Sequence, residues 1–357
     1  MEISLNLLPQ SARQHSVLQG MNSLPFGKLR CDHMFLMDYA NGEWSNARIV
    51  PYGNFSIPPG AMTLHYGQSA FEGAKAFRHA DGEIYAFRFD KNAARLNISA
   101  EILCMPHIPA EMQIEGCMRL LDVEREWCPT LPESSLYIRP FVFATEDALG
   151  VHPSSTYTYC IMLSPSGAYY PGGFNKTVTL LITERFHRAA PGGTGAAKAP
   201  GNYAASLRAQ LFAEKRGAAQ VLYLDTSNTY LEEAGAMNHF HVLKDGSVII
   251  PEFTDTVLRS ITSESMLEMV PQARLERIRL TDFLEMIQSG DIVEAGGFGT
   301  AAVITPVGHY ITDDGKSYTV GDGNIGPITR RLYETYTGIQ HGDISDTQNW
   351  LTKVPRY

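Results

Sequence analysis

Lys198 stands in the run Gly192 to Leu207, GGTGAAKAPGNYAASL, where glycine, alanine and proline leave almost no side-chain bulk around it. Glycine opens backbone angles that other residues avoid, and Pro200 keeps a helix from running through the segment. An amine on so thin a segment can be approached closely, and a lysine of this kind can form a Schiff base with an aldehyde cofactor. The local sequence alone equally allows a solvated loop lysine.

A phosphorylated pyridine aldehyde would ask for three further things: a carboxylate at the ring nitrogen, a phosphate cup, and groups that read the substrate. Glu233, in YLEEAGAMNHF, can supply the carboxylate. Strand alternation sends one of Glu232 and Glu233 inward and the other outward, and two solvated turn glutamates are the alternative. Ser260-Ile261-Thr262 opens a helical run, where free amides and the positive dipole end attract anions; an ordinary N-cap reads the same way. Gly296-Gly297-Phe298-Gly299-Thr300 follows a strand-like run and suits a tight anion-binding turn, or any turn. Arg95 lies on a helix face. Arg139, inside the apolar strand SLYIRPFVF, shares a face with Tyr137 two residues earlier, a pair suited to a carboxylate or to a structural ion pair.

The elements that must position these residues read as α+β. Of 357 residues, 44% are hydrophobic and 19% charged, a composition that folds and allows two domains. A net charge of -9 argues against non-specific binding to nucleic acid or an anionic membrane, so anions must be held locally. Five scattered cysteines form no CxxC pair, which points away from disulfides and metal and toward a reducing, cytoplasmic compartment. No signal peptide or membrane-length apolar run is present.

DHMFLMDYANGEW predicts a hairpin turning at Asn41-Gly42, and AKAF with IYAFRF a second one. Asp90 is the expected N-cap of a helix over KNAARLNISAEIL, followed by another over 109–127. SSLYIRPFVFAT and STYTYCIMLSPS are strands. The Gly, Pro and Tyr-rich stretch 164–175 predicts an interdomain loop between a smaller domain, 1–163, and a larger one, 176–357, that carries Lys198. The second domain reads as strand KTVTLLIT, helix YAASLRAQLFAEKRGA, hairpins through 226–228 and Asp245-Gly246, helices at SITSESMLEMV and LTDFLEMIQSG (capped by Thr281 or Asp282), strands at DIVEAGG and AAVITPVGHY, and a last helix from PITRRLY. Helices on mostly antiparallel, hairpin-built sheets follow.

Taken together, DHMF, LHYGQSAFEGAKAF, SLYIRPF, RAAPGGTGAAKAPGNYAASL, YLEEAGAMN, SITSESML, GFGTAAVITPV and GPITRRLY resemble the branched-chain amino acid aminotransferases, of the fold-type IV pyridoxal 5'-phosphate enzymes. The resemblance runs from about Phe26 to His341. It implies a two-domain fold with the cofactor between the domains, and reversible transfer of the amino group of leucine, isoleucine or valine to 2-oxoglutarate. It implies Lys198 as the cofactor lysine and proton shuttle, Glu233 at the pyridine nitrogen, and Tyr203 at the phenolic oxygen. Arg95, Ile261, Thr262 and Thr300 fall on the phosphate cup. Tyr137, Arg139 and the amides of Thr300 and Ala301 fall near the substrate carboxylates; Tyr66, Phe71 and Gly73 fall on the side-chain pocket. A homodimer is implied, with Tyr66, Leu149 and Val151 serving the partner's site. The chain departs from the animal pattern at Ala302 and Thr305, where a redox CxxC would stand, and at Ala236, where a threonine would stand. A D-amino acid aminotransferase, an aminodeoxychorismate lyase or a non-catalytic cofactor holder are the alternatives, and YIRP with FEGAKAF weighs against the first two.

Overall fold

Residues 1–169 and 173–357 are described by the structure, a computed structural model. They fall into two units: Met1–Tyr169 with Ala197–Pro200 and Gly338–Tyr357, and Tyr170–Ala196 with Gly201–Thr337.

The first unit is built on β1 (Ser4–Leu5), β2 (His33–Ala40), β3 (Glu43–Pro51), β4 (Ser69–Phe71), β5 (Ala74–Arg78), β6 (Ile84–Phe87), β7 (Ser135–Ala144) and β8 (Tyr157–Ser166). They order as β1-β3-β2-β8-β7-β5-β6, with β4 on β7 and the C-terminal strand Leu351–Lys353 on β6. All pairings are antiparallel except β1 with β3. The hairpin turn has φ 55° at Asn41 and 86° at Gly42, the positive pair that matches the right-handed twist of its strands. Along β7, Leu136, Ile138, Val142 and Ala144 enter a core shared with Leu96 and Ala100 of α2 (Phe89–Ile102) and Leu120 and Leu121 of α3 (Ala110–Val123), so Tyr137 and Arg139 project from the opposite face.

Three expectations change here. Asp90 is not the cap of α2: the N-cap is Arg88, at φ 48°, and Asp90 sits in the first turn, where its charge meets the positive dipole end. The helix expected over 109–127 stops at Val123, and Arg125–Trp127 is a separate 3-10 turn. Arg125 Nη2 donates there to the carbonyls of Val354 (2.7 Å) and Pro355 (2.8 Å), and Trp127 Nε1 to Asp32 Oδ2 (2.7 Å), bonds that a continuing helix would break. Within the expected loop 164–175, Ser164–Ser166 belongs to β8 and Gly173–Asn175 is a 3-10 turn; its residues 170–172 lie outside the described residues.

The second unit is a mixed sheet of β9 (Val178–Ile182), β10 (Gln220–Leu224), β11 (Leu231–Ala234), β12 (Met237–Leu243), β13 (Val248–Pro251), β14 (Ala273–Glu276), β15 (Ile292–Gly299), β16 (Val303–Thr312) and β17 (Ser317–Thr319). β11 pairs with both β10 and β12, so β11, β10, β9, β16, β15 and β12 close into a ring. Three pairings, β9 with β10, β9 with β16 and β13 with β14, are parallel, more than hairpins alone build. The crossover that lets β9 and β10 run parallel contains α4 (Pro200–Glu214), whose Ala209 and Ala213 pack on Leu181, Val221 and Tyr223. Pro200 begins this helix rather than excluding it, as suits a residue without an N–H to satisfy. Helix α5 (Ile261–Met269) is capped by Ser260, whose Oγ accepts from the Ser263 N–H. Helix α6 (Leu280–Ser289) is preceded by Arg279 with no side-chain cap; Thr281 and Asp282 lie in its first turn, bonded to each other. Helix α7 (Pro327–His341) is the last helix, followed by the C-terminal strand Leu351–Lys353. No helix among the described residues is long and apolar enough to cross a membrane.

Candidate active site

Lys198 is not on a loose loop. Its N–H donates to Ser99 Oγ of α2 (2.9 Å), and its carbonyl accepts from the Phe71 N–H of β4 (3.1 Å). Ala197 and Ala199 on either side are buried. These bonds group Ala197–Pro200 with the first unit, whereas the sequence reading put Lys198 in the domain after 176. The amine, Nζ, lies 5.1 Å from the centroid of the Phe71 ring.

That ring also carries Arg139, with Cζ 4.9 Å from its centroid. Arg139 Nη2 donates to Tyr137 Oη at 3.1 Å, the network that strand alternation suggested. Arg139 Nε is buried and finds no acceptor among the described residues. Gly73 makes room for the tyrosine: a Cβ there would lie 2.0 Å from Tyr137 Oη. Phe26, at 5.2 Å between centroids, packs edge-on against Tyr137, and Tyr169 packs on Phe26 at 5.1 Å. These two aromatics were not singled out from the sequence, because both lie in turn-rich stretches with no periodicity.

Arg95 proves to be half of a buried ion pair. Its Nε and Nη2 donate to Glu72 Oε1 (2.6 Å) and Oε2 (2.9 Å), and Glu72 also accepts from Asn92 Nδ2 (2.7 Å) and the Gly73 N–H (3.0 Å). Burial pushes the Glu72 carboxyl up, but Arg95, Lys198 and the bonds from Arg95 and Asn92 outweigh it and leave the carboxyl below its ordinary range. Glu72 was missed in the sequence; its one signal was a carboxylate between Phe71 and Gly73, in the short break between β4 and β5.

In the second unit Glu232 and Glu233 are both buried, so neither the solvated reading nor simple in-and-out alternation holds. β11 is paired on both edges, and the segment over 254–258 covers it: Thr256 Oγ1 donates to Glu232 Oε1 and the Leu258 N–H to Glu233 Oε1 (3.0 Å). Arg188 Nε lies 2.6 Å from Glu233 Oε2. Asn238 Nδ2 donates to Glu233 Oε1 (2.9 Å) and the Leu258 carbonyl (3.0 Å), while its Oδ1 accepts from Ser263 Oγ (2.9 Å) and the Ser260 N–H (3.3 Å). One side chain thus ties the buried carboxylate to the start of α5. There the N–H groups of Ile261 and Thr262, in buried residues, have no acceptor among the described residues. Two unmatched amides at a helix N-terminus are an anion site in the making. Arg188 and Asn238 were not read as site residues beforehand.

Thr300 and Ala301 form the turn between β15 and β16, both half-buried; Gly296 and Gly297 lie within β15 and not in the turn. Val303, just beyond, has φ 61°, a costly conformation for a β-branched residue. Tyr203 is half-buried in the first turn of α4, its carbonyl accepting from Ser206 Oγ (2.8 Å). Tyr66, Leu149 and Val151 stand out, 39%, 74% and 85% exposed. Ala236 is exposed in the turn between β11 and β12.

The geometry agrees with what the chain is similar to. A family model described as amino-transferase class IV matches residues 69–310. The branched-chain-amino-acid aminotransferase of Mycolicibacterium smegmatis is 45% identical over 339 residues, covering 92% of each chain. The solved Escherichia coli branched-chain amino acid aminotransferase superposes with a TM-score of 0.75 at 29% identity, covering 91% of this chain and 99% of that one. The T.th. branched-chain amino acid aminotransferase, solved with pyridoxamine 5'-phosphate, gives 0.71 at 29% identity, with 89% and 98% covered. An amine beside an arginine–tyrosine network, a buried carboxylate and unmatched helix-start amides stand in a chain of this descent: it belongs to the class IV aminotransferase family, among the branched-chain-amino-acid aminotransferases.

Proposed function

We propose that this enzyme transfers the α-amino group of L-leucine, L-isoleucine and L-valine to 2-oxoglutarate, reversibly and in two half-reactions, with pyridoxal 5'-phosphate as cofactor. The observation that carries the reading is the face around Phe71: an amine and a guanidinium share one apolar ring, and the guanidinium keeps a buried N–H without an acceptor among the described residues. A branched aliphatic chain finds apolar surface on such a face. A glutamate side chain finds Arg139 beside the Tyr137 hydroxyl, and when leucine replaces it the guanidinium keeps its bond to Tyr137 and its contact with the Phe71 ring.

The residues present fit the cofactor. The unmatched amides of Ile261 and Thr262, with Thr300, suit a phosphate, and Arg95 is the cation that the family resemblance assigns to it. Glu233, buried beside Arg188, suits a protonated ring nitrogen, and Tyr203 the phenolic oxygen. When bound, the group supplies an aldehyde for the amino nitrogen and a ring that withdraws electrons from Cα. With the cofactor bound, Lys198 Nζ would take the proton from Cα and return it to the carbon on the other side of the amino nitrogen, its backbone held at both ends so that the amine swings from a fixed root. Glu233 keeps the ring nitrogen protonated. Tyr137, Arg139 and the amides of Thr300 and Ala301 orient the carboxylates, and Tyr66, Phe71 and Gly73 wall the side chain.

The assembly we propose is a homodimer in which Tyr66, Leu149 and Val151 complete the partner's site; three exposed apolar side chains of this kind are supported best by a second copy. Five unpaired cysteines, four of them buried, favour a reducing cytoplasm. The test is a substrate panel on the purified, cofactor-loaded protein. Turnover of the three branched L-amino acids with 2-oxoglutarate is expected. Preference for D-alanine or aminodeoxychorismate would move it to another fold-type IV activity. An absorption band that no amino acid shifts would make it a cofactor holder.

A further inference from the structure

Arg188 is buried in the second unit, its side chain 7% exposed beside a Glu233 at 5%. It comes from the irregular segment after β9, ten residues before Lys198. Nε faces Glu233 Oε2 at 2.6 Å without an aligned hydrogen bond, so the contact is one of charge. The aligned bonds are made by Nη2, which donates to the Gly195 carbonyl (2.7 Å) and to the Thr256 carbonyl. Gly195 is pressed against that same residue: a Cβ on it would lie 2.6 Å from Thr256 Cα and 2.7 Å from Ala189 Cβ. Thr256 in turn donates through Oγ1 to Glu232 and touches Thr254 Oγ1 at 2.8 Å. One planar cation therefore joins the carboxylate pair of β11, the segment that covers it, and the glycine three residues before Lys198.

We infer that Arg188 is a positioning residue, holding Glu233 as an anion while fixing the backbone path that leads into Lys198. This rests on the proposed role of Glu233 at the ring nitrogen. A guanidinium does not give up its proton, so it is a constant positive charge at this depth. Burial pushes the Glu232 carboxyl up, against the opposing pull of its Thr256 bond and Arg188, and its Oε2 has no hydrogen-bond partner among the described residues, whereas Glu233 has Arg188 against one oxygen and Asn238 and Leu258 on the other. The cation thus lies against Glu233, while burial raises the carboxyl of Glu232. The second task falls to Nη2, whose two N–H groups reach the Gly195 and Thr256 carbonyls while Nε faces Glu233; the rigid guanidinium plane fixes the spacing of these contacts, which a flexible ammonium does not.

Arg188→Met and Arg188→Lys separate the two tasks. Three quantities are measured: affinity of the cofactor-free protein for pyridoxal phosphate, the pH midpoint of the bound cofactor's absorption band, and kcat with leucine. Arg188→Met is expected to weaken cofactor binding about tenfold, shift the midpoint, and lower kcat about a hundredfold. Arg188→Lys is expected to restore affinity and midpoint to within threefold and 0.3 pH, as rough bounds, and to leave kcat about tenfold low. Wild-type kcat and midpoint in a folded Arg188→Met protein would overturn the inference. If that variant does not fold, Arg188→Lys decides alone: unchanged kcat overturns it, and lowered kcat with retained affinity upholds it. Wild-type protein inactive on every L-amino acid would instead defeat the transaminase reading, whatever the variants do.

Discussion

Each unit buries one glutamate–arginine pair with a contact of 2.6 Å, and the two pairs are built differently. In the first unit Arg95 grips Glu72 by two aligned bonds, and Asn92 and the Gly73 N–H take up further lone pairs. In the second, Arg188 Nε offers Glu233 charge without an aligned bond, and Nη2 is turned to two carbonyls. A carboxylate matched on both oxygens is scaffolding: it locks α2 to the link between β4 and β5, beside Gly73, which lies against Tyr137. Glu233 has bonds from Asn238 and Leu258 on Oε1 and the Arg188 charge against Oε2, the arrangement that the proposed role at a ring nitrogen uses. On the proposed function, the contrast separates charge that holds the fold from charge that serves the cofactor.

The sharpest way to break that comparison is to neutralise each glutamate in turn. Glu233→Gln is expected to lower kcat by about 10²–10³-fold while the cofactor-free protein keeps its Tm within a few degrees, read by steady-state kinetics and calorimetry. Glu72→Gln is expected to do the reverse in stability, leaving Arg95 buried without a full counter-charge at a cost of about 3 kcal/mol, seen as a denaturant midpoint shift. The sign with pH follows from its lowered carboxyl: Glu72 stabilises the fold above the unfolded carboxyl range, near pH 4, and that contribution is lost as pH falls through the lower folded value. Glu72→Gln should therefore flatten the acid limb of stability, and an unaltered limb would count against the scaffolding role.

Arg139→Ala sharpens the comparison from the substrate side. It removes charge that is neither scaffold nor cofactor partner, so turnover of glutamate should fall about 10–100-fold and that of leucine only a few-fold. Equal losses would mean the guanidinium does not discriminate between them. Gly73→Ala, which pushes on Tyr137 Oη, is expected to cost about tenfold in kcat/KM for glutamate and less for leucine, because it disturbs the network without removing it.

Much of this was legible in the sequence wherever the signal was local. The Asn41-Gly42 hairpin, the Ser260 cap and the shared face of Tyr137 and Arg139 depend on residues within a turn of one another. What stayed hidden depends on partners far along the chain. Glu72 meets Arg95 from another element, Arg188 meets Glu233 from a distant segment, and the parallel pairings of β9 are closed by crossovers that periodicity does not record. Local rules failed most plainly at Glu232 and Glu233, where a segment covering the strand buried both carboxylates, the expected exposed one included.

Asn238 carries one more consequence. Its amide is used at both ends, with donors toward Glu233 and the Leu258 carbonyl and the oxygen toward Ser260 and Ser263. The carboxylate and the helix start are thereby set at one separation, as two jaws of a calliper. A site built so measures length as well as chemistry. A molecule bearing cation and anion on a single frame of the right span is chelated, the second contact following the first at high effective concentration, while either half alone bears the full entropy loss of binding for one jaw's grip.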